Sequence, residues 1–132
     1  PDGLRLDIYS YTLTGGNGTD TLNGTSGNDV FDFNAAAESP AGLGLDLIVG
    51  FNGAGAAAGD LIDLQGVFAG VLAFQGTCAF TAAVQVRVTE SGFGNTIVEV
   101  NLVGGAAPEM QILIVDGGIT AATSYTAADF IL

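Results

Sequence analysis

The sequence predicts an all-β protein: a short parallel β-roll followed by an antiparallel, β-sandwich-like sheet. Three observations predict it. A nine-residue pattern recurs in tandem from Gly15 to Asp32, apolar residues alternate strictly in residues 84–89 and 98–102, and no segment carries a sustained helical period. With 132 residues, 48% of them hydrophobic, the chain amounts to about one domain and can build a core.

The repeat comes first. GGNGTDTLN (15–23) and GTSGNDVFD (24–32) share Gly at position one, Gly at four, Asp at six and a large apolar residue at eight. Carried backwards, the register sets Leu13 and Leu4 on the ladder of Leu22 and Phe31, and Asp2 level with Asp20 and Asp29. The repeat between is degenerate, with Tyr11 in the aspartate position and Tyr9 in the glycine position. Six residues of each repeat form a tight loop and three a strand. Glycine allows the loop to turn through positive φ, its carbonyl oxygens point inward, and the aspartate adds a formal charge there. The residue at position eight packs into the roll.

Residues 1–34 are thus a roll remnant, and residues 35–132 the second part of the same structural unit. From Ala35 the period is lost, and residues 35–59 are rich in Gly and Ala with a turn at Ser39-Pro40. LDLIVGF and DLIDL read as short strands, with Asp60 and Asp63 on a surface turn and strand edge rather than as catalytic carboxylates. Val84, Val86 and Val88 share one face of the next strand, and Val98, Val100 and Leu102 one face of its partner across the turn ESGFGN. A hairpin would pair Arg87 with Glu99 on its wet face, a contact of little energetic weight. Residues 110–115 form a further strand ended by Asp116-Gly117-Gly118, where Asp116 is a turn residue. Thr126 and Asp129 have the spacing of a capping box.

Charge narrows the function. Fourteen carboxylates face two arginines, Arg5 and Arg87, giving a formal charge of −12. No basic patch exists for nucleic acid or an anionic membrane surface, and self-repulsion on this scale calls for bound cations. Hard oxygen donors without His, and with Cys78 as the single cysteine, suit Ca²⁺ rather than zinc or copper, and tolerate calcium better than the strict octahedron of magnesium. Cys78, in the apolar run CAF, reads as a buried thiol, and a disulfide framework is excluded. The uncharged run 64–86 is broken by Gly66, Gly70 and Gly76 and is no membrane span. Without His there is no His-based triad or HExxH zinc site, and GGNGTD lacks the lysine of a phosphate-binding loop. The chain reads as a non-enzymatic fragment without a leader, with any catalysis in a parent chain N-terminal to Pro1.

The two nonapeptides resemble the RTX repeat GGxGxDxUx, a calcium-binding motif. In that family each ion lies between a loop and the next loop on the same edge of the roll, eighteen residues on. The resemblance implies that Asp2 and Asp20 share one ion with carbonyls of Gly16 and Gly18. It implies that Asp29, with carbonyls of Thr25 and Gly27, takes a partner near Leu47, for which Asp46 is the candidate and Glu38, eighteen residues after Asp20, the second choice. FDFNAAAESPAGLGLDLIVGF, GDLIDLQGV, NTIVEVNLVGGAAPEMQILIVDGGIT and TAADFIL resemble, in order and spacing, the serralysin-type C-terminal domain. That resemblance implies an uncleaved secretion signal at Asp129, Phe130, Ile131 and Leu132, read by an ABC-type (type I) exporter, and a secreted, extracellular protein; DFIL otherwise reads as a last strand docked on the sheet. Gly50 stands where the family usually has aspartate, which lowers the expected number of ions, and VNLVGGAAPEM replaces an often acidic stretch. The alternatives are a calcium-dependent anchoring module of a surface-layer protein or adhesin, and an accessory domain of a secreted hydrolase such as a metalloprotease, lipase or polysaccharide-modifying enzyme.

Overall fold

A computed structural model describes residues 11–56 and 59–132. The fold is all-β, built from two sheets around one core. Strands β1 (Thr12–Leu13), β3 (Val30–Asp32), β5 (Leu61–Asp63) and β10 (Phe130–Ile131) form a wholly parallel sheet in that order. The second sheet runs β2 (Thr21–Asn23), β4 (Asp46–Val49), β9 (Met110–Val115), β8 (Thr96–Asn101), β7 (Gln85–Glu90) and β6 (Ala73–Phe74). The chain alternates between the sheets from β1 to β5, which is the winding of a β-roll.

The three-residue strands follow from the repeat. Each offers one apolar side chain to the interior: Leu22 and Phe31 in the tandem repeats, then Ile48 and Ile62, all at or near full burial. The period lost from the sequence at Ala35 therefore persists in space. β4 and β5 are two more windings, delayed by the longer connections 33–45 and 50–60, so that Thr21 pairs with Leu47 and Val30 with Leu61 where Thr12 pairs with Val30.

The antiparallel part is not packed beside the roll but continues its second sheet. β4 pairs in parallel with β9, which joins the β9–β8–β7 meander. Alternation supplies the core face: Val86, Val88, Val98, Val100, Ile112 and Ile114 are fully buried and cluster with Phe31, Phe33, Ile48 and Ile62. β7 starts at Gln85, not Val84, because Val84 has φ 63, outside the strand region, while the Gln85 side chain gathers the N–H groups of Thr81 and Ala82.

Arg87 and Glu99 pair across the hairpin at 2.8 Å as expected, but the face is not wet. Glu99 is buried and also accepts from Gln111 Nε2, and the Arg87 guanidinium lies 4.6 Å from the centre of the Phe80 ring. Cys78 is exposed rather than buried, because it sits in a surface turn where its N–H bonds Gln75 O. No helix is long and apolar enough to cross a membrane among the described residues. The C-terminal segment returns to the roll: Phe130 pairs with Ile62, and Ile131 O accepts from Leu64 N.

Candidate metal centre

Three windings of the roll use the same backbone device. The residue just before a strand donates its N–H to the carboxylate one winding further on in the same sheet. Tyr11 N donates to Asp29 Oδ1 at 3.0 Å, Asp29 N to Asp60 Oδ1 at 2.8 Å, and Asp20 N to Asp46 Oδ1 at 2.8 Å. The carbonyls answer in the reverse sense, with Leu47 N donating to Asp20 O and Leu61 N to Asp29 O, each at 2.9 Å. The aspartates thus form two ladders, one on each edge of the roll.

On the first edge stand Asp20, Glu38 and Asp46. Asp46 is fully buried at the start of β4, where its own N–H is held by Ser39 Oγ at 2.7 Å and the Ser39 hydroxyl donates to Gln111 O. Glu38 is buried in a 3₁₀ turn and accepts from Asn34 N through Oε2. One oxygen of each carboxylate, Asp20 Oδ2, Glu38 Oε1 and Asp46 Oδ2, is buried without any hydrogen-bond partner. Burial pushes the Asp46 carboxyl up, the Asp20 N–H opposes this, and the neighbouring charges of Asp20 and Glu38 raise it further. Gly15 belongs to the same edge because a Cβ there would sit 2.7 Å from Asp20 Oδ2. Gly16 and Gly18 take φ of 75° and 96°, as a glycine-dependent turn requires. Arg87, engaged by Glu99, is the only Lys or Arg among the described residues and does not neutralise this edge.

The second edge carries Asp29 and Asp60. Asp29 is buried and accepts from Tyr11 N and Thr25 Oγ1 at Oδ1, and from Thr25 N at Oδ2 at 2.6 Å. Asp60, also buried, accepts from Asp29 N at Oδ1 and from Asn52 N at Oδ2, 2.9 Å. The Asn52 amide donates to Thr25 O at 2.9 Å, joining the loops of two windings. Burial raises the Asp60 carboxyl, and the Asp29 and Asn52 N–H groups oppose it. Gly24 and Gly50 pass so closely that a Cβ on Gly24 would lie 2.8 Å from Gly50 O.

The expected partnership of Asp29 with Asp46 is therefore corrected. Asp46 lies with Asp20, 26 residues away, and Asp29 lies with Asp60, 31 residues away, because the inserted connections lengthen each winding beyond eighteen. Glu38, the second choice, stands on the same edge as Asp20 and Asp46. Asp60 is no surface turn residue. A signal for it exists in Gly59–Asp63, GDLID, which repeats the order of NDVFD at Asn28–Asp32. Gly27 is buried, and its N–H donates to Thr25 Oγ1. Asp2 lies outside the described residues. Among the described residues no three His, Cys, Asp or Glu side chains converge closely enough to be a metal cluster by themselves. An ion on the first edge would have to complete its shell with loop carbonyls.

At the C-terminus, Thr126 and Asp129 form the expected capping box, but on a single 3₁₀ turn. Asp129 is fully buried and accepts from Gly55 N and Thr126 N, each at 2.8 Å, while burial raises its carboxyl. Asp116 is more than a turn residue: it accepts from Thr96 Oγ1 at 2.7 Å and from the Tyr125 hydroxyl at 3.2 Å, tying the end of β9 to the C-terminal segment.

No protein-family model and no curated protein matches the chain. Solved structures do. The solution structure of the AlgE6R2 subunit of a mannuronan C5-epimerase from Azotobacter vinelandii is 22% identical, with a TM-score of 0.61, over 92% of this chain and 70% of that one. The AlgE6R3 subunit of the same enzyme is 23% identical, with a TM-score of 0.59, over 92% of this chain and 66% of that one. At these identities the likeness establishes the shared fold.

Proposed function

We propose that the chain is a Ca²⁺-binding, non-enzymatic module of a larger secreted bacterial protein. One observation carries the reading: three carboxylates on one edge of the roll each keep a buried oxygen that no protein donor reaches. A buried acceptor left unpaired costs about 1–3 kcal/mol, and more when charged. Asp20 and Asp46 would hold the ion, with Glu38 adding negative charge beside them and carbonyls of the 15–18 loop, Gly16 and Gly18 among them, as further donors. Oxygen donors alone, on flexible glycine turns, suit calcium. The bound ion would supply the positive charge this edge lacks. Its binding free energy then adds to folding free energy, so the module opens at low calcium and closes at high calcium.

The same logic supports type I export, with an ABC-type exporter as partner and Asp129, Phe130, Ile131 and Leu132 as the signal. A chain that stays open in a low-calcium cytosol can be threaded, then closes in millimolar calcium outside. The likeness to subunits of a mannuronan C5-epimerase favours, for the parent, an accessory role beside an extracellular polysaccharide-modifying enzyme.

Two experiments test these readings. Circular dichroism and thermal melts in EDTA and in millimolar calcium are expected to differ strongly; identical spectra and melting points would sink the calcium assignment. A passenger fused upstream of the chain, co-expressed with a type I exporter, is expected in the medium; unchanged export after deletion of residues 129–132 would remove the signal assignment.

A further inference from the structure

The second edge of the roll differs from what a calcium rung requires, and the difference lies in side chains of this chain. On the first edge three carboxylate oxygens are buried and unpartnered, whereas all four oxygens of Asp29 and Asp60 have protein donors. Thr25, which replaces the second glycine of the repeat, brings a hydroxyl 3.0 Å from both Asp29 oxygens as well as its N–H. The Asn52 amide donates to the Thr25 carbonyl, an oxygen that a metal on this edge would need, and the Asn52 N–H donates to Asp60. A donor seated on that carbonyl occupies one of its two lone pairs and competes with a cation for the same oxygen.

We propose that the edge formed by residues 24–29, Asn52 and Asp60 is a calcium-independent staple, in which Thr25 and Asn52 take the place of an ion. The roll then has one metal-gated edge and one edge closed by the protein. The neighbouring C-terminal turn extends this arrangement, since Gly55 N in the same loop donates to both oxygens of Asp129. The claim does not rest on calcium binding at the other edge.

Hydrogen exchange read by mass spectrometry on the whole chain, in EDTA and in calcium, tests it. Peptides covering residues 24–33 and 50–64 are expected to be protected in EDTA, with rates changing less than about threefold on adding calcium. Thr25→Val and Asn52→Ala are expected to speed exchange in those peptides at least about tenfold in both conditions, while leaving any calcium response of residues 15–23 and 34–49 intact. Peptides 24–33 and 50–64 that exchange freely in EDTA and slow only with calcium would overturn the proposal, as would variants that exchange at the wild-type rate. If 24–33 and 50–64 are protected in EDTA and nothing responds to calcium, the staple stands and the calcium reading of the first edge fails.

Discussion

The two edges of the roll are made from the same repeat and solve the same problem in opposite ways. Each must seat buried aspartates beside a turning backbone. On the Asp29–Asp60 edge the answer is local hydrogen bonding, with N–H groups, a threonine hydroxyl and an asparagine amide around the carboxylates. On the Asp20–Glu38–Asp46 edge the protein supplies too few donors and adds a third negative charge. The first solution needs no ion; the second leaves buried acceptors that, on the proposed reading, a cation would complete. The same repeat motif can thus seat its aspartates with or without spare donors, and the residues at its variable positions set the difference.

Substitutions can separate the edges. The largest effect is expected at Asp46. At a calcium concentration a hundredfold above Kd the wild type should gain about 2.7 kcal/mol, roughly 10 °C in melting temperature. Asp46→Asn should lose that gain while melting no lower than wild type in EDTA, because a buried like charge has gone; calorimetry with and without calcium reads both. A full calcium response in Asp46→Asn would mean that the first edge is not the metal centre.

Asp60→Ala should behave differently. It strips acceptors from the Asp29 and Asn52 N–H groups, at a cost of about 2 kcal/mol, and the loss should be equal in calcium and in EDTA. A loss confined to calcium would erase the contrast between the edges. Thr25→Val keeps the shape but removes a hydroxyl from Asp29, so a smaller loss of roughly 1 kcal/mol is expected in both conditions.

The pH response sharpens the comparison further. Burial holds the Asp60 and Asp129 carboxyls above their ordinary value of 3.8. For a raised carboxyl, the stabilising contribution is complete below the unfolded-state value and is lost as pH rises through the folded-state value. In EDTA the melting temperature should therefore climb as pH falls from 7 toward 4. In calcium, protons compete for the ligands of the first edge, and the trend should flatten or reverse. Parallel slopes in the two buffers would argue against a metal-dependent edge.

Much of this was legible in the sequence. Tandem nonapeptides announce the roll, and alternating valines announce the meander, because both patterns record which side chains face the core. Val98 and Val100 are buried where the alternation puts them. The metal centre was half legible. Asp20, Glu38 and Asp46 all stand out by type and approximate spacing, but their grouping depends on the length of each winding, and sequence period cannot measure a connection that bulges out of register. Asp60 reads as a surface residue for the same reason, since its repeat, Gly59–Asp63, follows a Gly/Ala-rich stretch that hides the register. Continuity between roll and meander rests on the β4–β9 pairing, a contact across some sixty positions with no local signature. Cys78 misled because an apolar neighbourhood in sequence is not one in space.

Among the described residues, the parallel sheet runs from β1 at one border to β10 at the other. Residues 12–13 and 130–131 thus belong to one sheet, four-stranded among the described residues, that joins segments far apart in the sequence. Without β10 the sheet is one strand short, since Phe130 and Ile131 pair with Ile62 and Asp63 of β5. Truncated products, lacking those two residues, would be left with an unfinished border along β5 for quality control to recognise.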